Sequence, residues 1–132
     1  MIRCWGANSN GQLGDGTTTD RWAPAAVPGV SGATGISAGA RHACATLAGG
    51  SIVCWGDNEE GQLGDGSDLV ERVSPAPVPG LSAAAVAAGM VHTCALGQDG
   101  VVSCWGADRH GELGDGSPVY PWPLSQAAIP CP

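Results

Sequence analysis

A block of sequence recurs three times at a fixed spacing of 50 residues, and this period constrains the fold more than any other feature of the chain. Its anchors are Cys-Trp-Gly triplets that begin at Cys4, Cys54 and Cys104. Each triplet is followed by a Gly-Gln-Leu-Gly-Asp-Gly loop, in which Glu112 replaces the glutamine of the last copy. A repeat of this length exceeds the common two-helix units and suits the four short strands of a propeller blade. The period therefore predicts an all-β tandem array.

The composition indicates a folded, turn-rich chain and argues against two classes of partner. Hydrophobic residues make up 43% of the sequence and charged residues 13%, while 22 glycines and 10 prolines leave few places for long helices. The formal net charge of −7 repels phosphate backbones and anionic lipid head groups. No apolar run approaches the roughly 20 residues that span a bilayer. We therefore expect neither nucleic-acid binding nor membrane insertion.

The repeat divides the chain into whole units and incomplete ones. The segment from Met1 to Trp5 matches the segment from Ser51 to Trp55, a strand whose hairpin partner would lie before residue 1. We expect a single tandem array over residues 1–132, with a partial unit at 1–3, repeats at 4–53 and 54–103, and a truncated repeat at 104–132.

Two hairpins follow from glycine-containing loops between apolar, β-branched segments. The loops are Ala48-Gly49-Gly50 and Gln98-Asp99-Gly100, and a three-residue loop of this kind ends on a left-handed residue, here a glycine. The register set by the loops places Cys44 opposite Cys54 and Cys94 opposite Cys104. The loops thus bring four cysteines together in two pairs.

An alanine-rich segment at 82–88 would be read as a helix on propensity alone. Its repeat equivalent at 32–38 contains two glycines and two β-branched residues, which favour an extended strand. We therefore predict a strand in both copies.

The facing cysteines predict the disulfides Cys44–Cys54 and Cys94–Cys104, and with them an oxidising compartment. Buried free thiols are one alternative, and a zinc site is a weaker one because the chain has no clustered Cys/His spacing. Cys4 stands where a third bridge would have its second half, and Cys131 stands where the other units have glycine. Either the chain is a fragment in which these two cysteines remain by accident, or they pair with each other within or between chains.

The motifs together resemble a known repeat. The pattern Ala-Gly-x-x-His-x-Cys-Ala, then Cys-Trp-Gly, then Gly-Gln-Leu-Gly-Asp-Gly, then a proline-rich stretch, is similar to the regulator of chromosome condensation repeat, above all to its cysteine-containing, secreted bacterial version. The resemblance implies a β-propeller, usually of seven blades with four antiparallel strands each. About two and a half units leave such a ring incomplete unless further sequence or other chains complete it.

The resemblance also suggests a class of function. Family members include a nucleotide-exchange factor that binds chromatin, which the acidic charge disfavours here, and a secreted inhibitor of β-lactamases, which shows that the scaffold suits protein recognition. We predict a non-enzymatic module without a cofactor, secreted or at the cell surface and bacterial, that binds a protein partner. The alternative is a structural subunit of a homo-oligomer or filament, completed by strand addition between chains.

Candidates for catalysis or metal binding have structural explanations. His42 and His92 occupy the same repeat position, which favours a hydrogen bond within each blade, and His110 reads as a solvated loop residue. The aspartates of the Gly-Asp-Gly loops lack the ligand spacing of calcium sites and are expected to cap turns. These aspartates are Asp15, Asp65 and Asp115. No metal site is predicted.

Aromatic residues divide into scaffold and candidate contacts. Trp5, Trp55 and Trp105 belong to the repeated triplet, and we expect them to pack between blades. The segment after each Gly-Asp-Gly varies between units, and its large side chains have the composition of protein-interface anchors, although packing under their own loop is equally compatible. The predicted contacts are Arg21, Trp22, Tyr120 and Trp122.

Overall fold

The fold consists of short antiparallel strands. The computed structural model describes residues 1–116 and 127–130, and these ranges contain strands and turns but no helix. The strands are β1 (Arg3–Gly6), β2 (Arg21–Ala26), β3 (Ala33–Ala38), β4 (His42–Leu47), β5 (Ile52–Asp57), β6 (Glu71–Pro77), β7 (Ala83–Ala88), β8 (His92–Gly97), β9 (Val101–Gly106) and β10 (Ala127–Pro130).

The strands form three sheets that follow the order of the chain. The first sheet contains β1 and β2, the second contains β3 to β6, and the third contains β7 to β10. In each four-stranded sheet every strand pairs with its sequence neighbour, as in a propeller blade. The first sheet corresponds to the outer two strands of the others, and the array is open. The prediction of four-stranded propeller blades in an incomplete ring is confirmed.

The hairpin register is the one that the loops predict. Cys44 lies opposite Cys54, and Cys94 lies opposite Cys104. Disulfides join both pairs across ten residues of sequence. Gly100 closes its loop at a φ of 84°, in the left-handed region that favours glycine. The disulfides therefore cross-link the two central strands of each four-stranded sheet.

The alanine-rich segment is a strand, as predicted from its repeat equivalent. β7 pairs with β8 along one edge and packs against β3 and β4 of the preceding sheet. These contacts outweigh the helix propensity of alanine, because tertiary context routinely overrides intrinsic propensity.

The hydrophobic core lies between the sheets. One cluster joins the first two sheets through Ile2, Val27 and Trp55, and another joins the second and third through Ile52, Leu63 and Trp105. Each sheet therefore buries its apolar surface against its neighbours in the array, as repeat proteins do.

A tryptophan lies at the centre of each of these contacts. The indole N–H of Trp55 donates to the backbone carbonyl of Gln12 at 2.9 Å, and that of Trp105 donates to the carbonyl of Gln62 at 2.9 Å. Both tryptophans are at most 1% exposed. The structure thus places these two side chains between blades, each seated in the Gly-Gln-Leu-Gly loop of the blade before it.

A glycine in the same loop makes room for the indole. Gly64 has a φ of 66°, and a Cβ added there would lie 2.6 Å from Nε1 of Trp105. Gly66, two residues later, has a φ of 73° and nothing within 4 Å of an added Cβ. The first glycine therefore serves both the backbone conformation and the packing, while the second serves the conformation alone.

These two glycines allow a matched test of the blade contact. We expect G66A to lower the free energy of unfolding by about 1 kcal/mol, from left-handed strain alone. G64A adds a clash with the indole and should cost about 2–4 kcal/mol. Urea denaturation followed by tryptophan fluorescence measures both, and equal losses in the two variants would mean that the indole contact contributes little.

Candidate protein-binding surface

The first sheet exposes a tryptophan that the other sheets bury. Trp5 is 62% exposed, although it stands at the position of the fully buried Trp55. An added Cβ on Gly56 would lie 2.5 Å from the carbonyl oxygen of Arg41, whereas one on Gly6 would meet nothing within 4 Å. The surroundings that enclose the triplet in the second sheet are thus missing around the first triplet in the described residues.

Trp22 lies on a strand rather than in a variable loop, which corrects the sequence prediction. Arg21 on β2 and Arg72 on β6 each pair with the glycine of a Cys-Trp-Gly triplet. The next residues along the two strands, Trp22 and Val73, are therefore equivalent. Trp22 is 97% exposed, so it does not pack under its own loop either.

Val73 shows which surface this position faces. The backbone N–H of Gly16 donates to the carbonyl of Val73 at 2.9 Å, and a Cβ added to Gly11 would lie 2.8 Å from Cα of Val73. Trp55 and Val73 thus both contact the loop of the preceding blade. By equivalence, Trp5 and Trp22 form one apolar face on the first sheet, here called the open face.

A cleft of about 510 Å³ adjoins the open face along β1. It is lined by Cys4, Trp5, Ile36 and Ala43, among other residues. Ile36 is 51% exposed, whereas its equivalent Val86 packs against the core between the second and third sheets. The cleft therefore occupies the place that the inner strands of a complete first sheet would fill.

Arg21, predicted to contact a protein partner, forms an ion pair within its own unit. Its Nε donates to Asp15 at 2.7 Å, and Arg72 repeats the pair with Asp65 at 2.8 Å. Burial works to raise the pKa of Asp15, but hydrogen bonds from Thr17 and Arg21 outweigh it and leave the pKa below its usual value. The aspartates cap their turns, since Asp15 also accepts from the backbone N–H of Thr17 at 3.0 Å.

His42 makes its hydrogen bond between blades, not within one as predicted. Its Nε2 lies 2.8 Å from the hydroxyl of Thr93 on the third sheet. That hydroxyl donates to the carbonyl of Gln62 at 2.7 Å, the same oxygen that accepts from Trp105. Because the Thr93 proton is already given to a carbonyl, the imidazole must be the donor, which places the proton of neutral His42 on Nε2.

The buried His42 ring is held in its neutral form. Burial lowers its pKa to about 4, against a smaller opposing effect from Asp57 and with a further lowering by His92. The ring thus connects two sheets as a neutral donor. His92, its repeat equivalent, lines a groove beside Arg41, Met90 and Glu59 instead.

The remaining predicted residues are less informative. His110 is an exposed loop residue, with Nδ1 3.4 Å from Glu112. Cys4 has no disulfide partner among the described residues, and burial, with a contribution from the Asp15 charge, raises the pKa of its thiol. Tyr120, Trp122 and Cys131 lie outside the described residues.

Sequence reasoning missed a buried asparagine in each of the first two units. The Asn58 side chain accepts from the backbone N–H of Leu63 at 3.0 Å and donates to the carbonyl of Leu69 at 2.8 Å. Asn8 makes the same kind of bonds. The sequence signal for it was an asparagine that recurs before Gly-Gln-Leu-Gly in both units. The hydrogen bonds of this asparagine hold the loop that receives the tryptophan of the next blade.

Two kinds of site are absent from the described residues. No group of three or more His, Cys, Asp or Glu side chains is placed to hold a metal ion. In the same ranges there is no helix long and apolar enough to cross a membrane.

Comparison with family models gives a consistent assignment. A model of the regulator of chromosome condensation (RCC1) repeat matches residues 4–46 and 49–96, and a second model of the same description matches 33–62 and 83–112. The matches cover more than half of the chain. No curated protein matches it.

Solved structures resemble the chain in fold. Yeast RCC1 (Prp20), in a complex with Kap60, is 23% identical with a TM-score of 0.76, over 89% of this chain and 30% of that one. Prp20p from Saccharomyces cerevisiae is 23% identical with a TM-score of 0.71, over 87% and 31%. Human WBSCR16 is 25% identical with a TM-score of 0.79, over 97% and 32%. The chain thus spans about a third of the length of these proteins.

The neutral His42 makes stability depend on pH in a defined window. The folded chain binds this proton with a pKa of about 4, against 6.5 for an ordinary histidine, so the unfolded state takes up the proton first as the pH falls. The free energy of unfolding is therefore highest above pH 6.5. It falls by about 3 kcal/mol between pH 6.5 and pH 4 as the unfolded state is protonated. Asp15 and Asp65, whose pKa values are lowered, lose their contributions only below pH 4.

Two histidine variants measure this contribution. H42Q keeps a donor for Thr93 but does not titrate, so its free energy of unfolding should be flat between pH 6.5 and 4.5. H110Q, at an exposed site, should keep the slope of the parent. Urea titrations at four pH values test this, and a slope that survives in H42Q would assign it to another group.

Proposed function

Because the chain belongs to the regulator of chromosome condensation repeat family and supplies part of a β-propeller, we propose that it acts as a protein-binding module outside the cytoplasm. The observation that carries the proposal is the open face, on which Trp5 and Trp22 present two large aromatic side chains to solvent. Exposed apolar surface of this kind marks interaction sites, and tryptophan is the residue most enriched at their centres.

The solved relatives support a binding role for the scaffold. Yeast Prp20 is described in complex with Kap60, and its binding to Gsp1p and histones has been characterised. These are properties of Prp20. They favour, for this chain, a function in which a propeller surface meets another protein, and the net charge of −7 favours a partner with basic residues around its apolar contact.

The two disulfides support a location in an oxidising compartment. Bridges of this kind persist in secreted and cell-surface proteins and are rare in the cytosol. We propose secretion or surface exposure, in keeping with the resemblance to the secreted bacterial repeats.

We propose a role without catalysis. His42, the most buried titratable ring in the described part of the chain, is neutral and donates to Thr93. The Asp15 and Asp65 carboxylates are occupied by turn caps and arginines. The side chains that most often carry acid–base chemistry therefore have structural roles here.

Retention of a partner by immobilised protein tests the main proposal. The probe is the extracellular protein fraction of the source cells, and W22A should reduce the specifically retained protein about tenfold or more. M90A, at a 70% exposed methionine away from the open face, is the matched control and should retain as much as the parent. Equal retention by W22A and M90A would rule out the open face as the contact.

A second candidate function is that of a structural subunit completed by strand addition. Among the described residues no strand pairs with the second edge of β1, whereas β4 covers the equivalent edge of β5. An incoming strand with a cysteine opposite Cys4 would reproduce the Cys44–Cys54 bridge. Exposed strand edges readily accept such a strand.

Native mass without reductant, combined with thiol counting, tests this candidate. Strand addition that pairs Cys4 with Cys131 predicts a covalent multimer with no free thiol. The C4S variant should have no interchain disulfide and one free thiol per chain, with Cys44–Cys54 and Cys94–Cys104 intact. A monomer with two free thiols would exclude this form of assembly.

A further inference from the structure

We propose that a cavity on the side of the third sheet that faces the second binds an alkyl ammonium group, either of a small free amine or of a lysine side chain. The cavity has a volume of about 260 Å³ and is lined by the third sheet and by the connection from β6 to β7. Its polar side chains are Ser82, Asp99 and Ser103. The cavity is separate from the open face and from the edge of β1, so the proposal goes beyond both functions proposed above.

The cavity lies inside the array. Ala83 and Ala95 line it, and both belong to the core cluster that also contains Ile52 of the second sheet. The second and third sheets each have four strands. The cavity is therefore a feature of the contact between two four-stranded sheets, away from both ends of the array.

Comparison of the two hairpins shows why the third sheet has a cavity here. Leu47 and Val53 of the second sheet pack against the core cluster that this sheet forms with the first. The residues 50 positions later are Gly97 and Ser103, and the strand register is the same in both hairpins. Two apolar side chains are thus replaced by a hydrogen atom and a hydroxymethyl group. The third sheet therefore leaves unfilled volume with a polar group on its wall.

Asp99 brings a carboxylate to the place where Leu47 has its side chain in the second sheet. A Cβ added to Gly97 would lie 2.4 Å from Oδ1 of Asp99. The equivalent of Asp99 is Gly49, so only the third sheet has this charge. Oδ1 accepts from the backbone N–H of Val101 at 3.0 Å, while Oδ2 makes no hydrogen bond to the described residues. One oxygen thus holds the side chain in place, and the other is available to a ligand.

Ser103 adds a buried hydroxyl group without a partner. The residue is 8% exposed and lines the cavity, and its hydroxyl makes no hydrogen bond within the described part of the chain. A buried hydroxyl without a hydrogen bond is costly, and a ligand that bonds to it removes that cost. The wall of the cavity therefore favours a polar ligand over an apolar one.

The three oxygen-bearing side chains match the donors of an ammonium group. An ammonium group has three N–H donors and no acceptor, and the side chains of Ser82, Asp99 and Ser103 can all accept. A guanidinium group suits the cavity less well, because its planar fork pairs with two oxygens of one carboxylate and one oxygen of Asp99 already accepts from a backbone N–H. The net charge of −7 also favours a cation.

The size and the apolar lining of the cavity fit the alkyl chain that carries the ammonium group. The volume of about 260 Å³ is below the roughly 300–1,000 Å³ of sites for drug-sized ligands. Leu81, Ala83 and Ala95 supply apolar surface beside the polar groups. A short alkyl chain can pack against these side chains while its charged end meets the oxygens.

Titration of the isotopically labelled protein with butylammonium chloride, followed by the chemical shifts of its backbone amides, tests the proposal. The signals of Gly97, Asp99 and Ser103 should shift and reach saturation at constant ionic strength. Butanol has an alkyl chain of the same length without the charge, and it should bind about tenfold more weakly or less.

Two variants of the cavity and one control make the test specific. D99N keeps the oxygen that accepts from Val101 but removes the charge, and S103V inserts the residue that the second sheet has at this position. Each variant should weaken the binding of butylammonium about tenfold or more. D68N removes the same charge at an exposed site in the second unit, so it should bind as the parent does.

A second titration distinguishes the two sources of the ammonium group. Its probe is a tripeptide of glycine, lysine and glycine with both ends capped. Binding at least as tight as that of butylammonium would identify a lysine side chain of a polypeptide as the ligand. Binding of butylammonium alone would identify a small free amine.

Three results would overturn the proposal. The first is the absence of saturable shifts around the cavity with both ammonium probes. The second is equal binding of butanol and butylammonium, which would make the cavity an apolar site. The third is binding that D99N and S103V both leave at the level of the parent, which would place the ligand elsewhere. The titrations contain no protein partner, so their result is independent of the W22A retention assay.

Discussion

The structure depends on the contact between a tryptophan of one blade and the Gly-Gln-Leu-Gly turn of the blade before it. Each blade is a thin sheet with too little surface to bury a core alone, so its stability comes from this packing. A buried indole with an unpaired N–H would be costly, and the carbonyls of Gln12 and Gln62 remove that cost for Trp55 and Trp105. The glycines give the rings room. The repeated Cys-Trp-Gly and Gly-Gln-Leu-Gly motifs are thus the two sides of one contact between neighbouring blades, here called the joint.

The same joint accounts for what is exposed. Among the described residues, no turn of a preceding blade packs against the first sheet. Trp5 and the neighbouring Trp22 are therefore exposed there, whereas the equivalent Trp55 is buried. The surface proposed for binding is therefore made largely by scaffold residues. Variation between units, which sequence reasoning favoured as the sign of function, bears on it only at Trp22.

The hairpins could be predicted from local turn chemistry. Features that depend on contacts between blades could not. The position of Gly50 and Gly100 determines which cysteines face each other, so the register could be predicted from a few residues of sequence. The partner of His42 could not, because Thr93 belongs to the next blade and has alanine as its equivalent at position 43. Trp22 was misplaced for the same reason, since only the contact of Val73 with the preceding loop reveals what that strand position faces.

The Gly-Gln-Leu-Gly loops of the second and third units also differ in their internal hydrogen bonds, which shows where the array is weakest. Asn58 uses both ends of its amide to hold its loop, but the third unit has Asp108 at this position, with one buried carboxylate oxygen that has no partner among the described residues. An unsatisfied buried acceptor costs about 1–3 kcal/mol. In an array whose stability is a sum of units and neighbour contacts, such a cost falls on one unit. The third sheet should therefore open before the second.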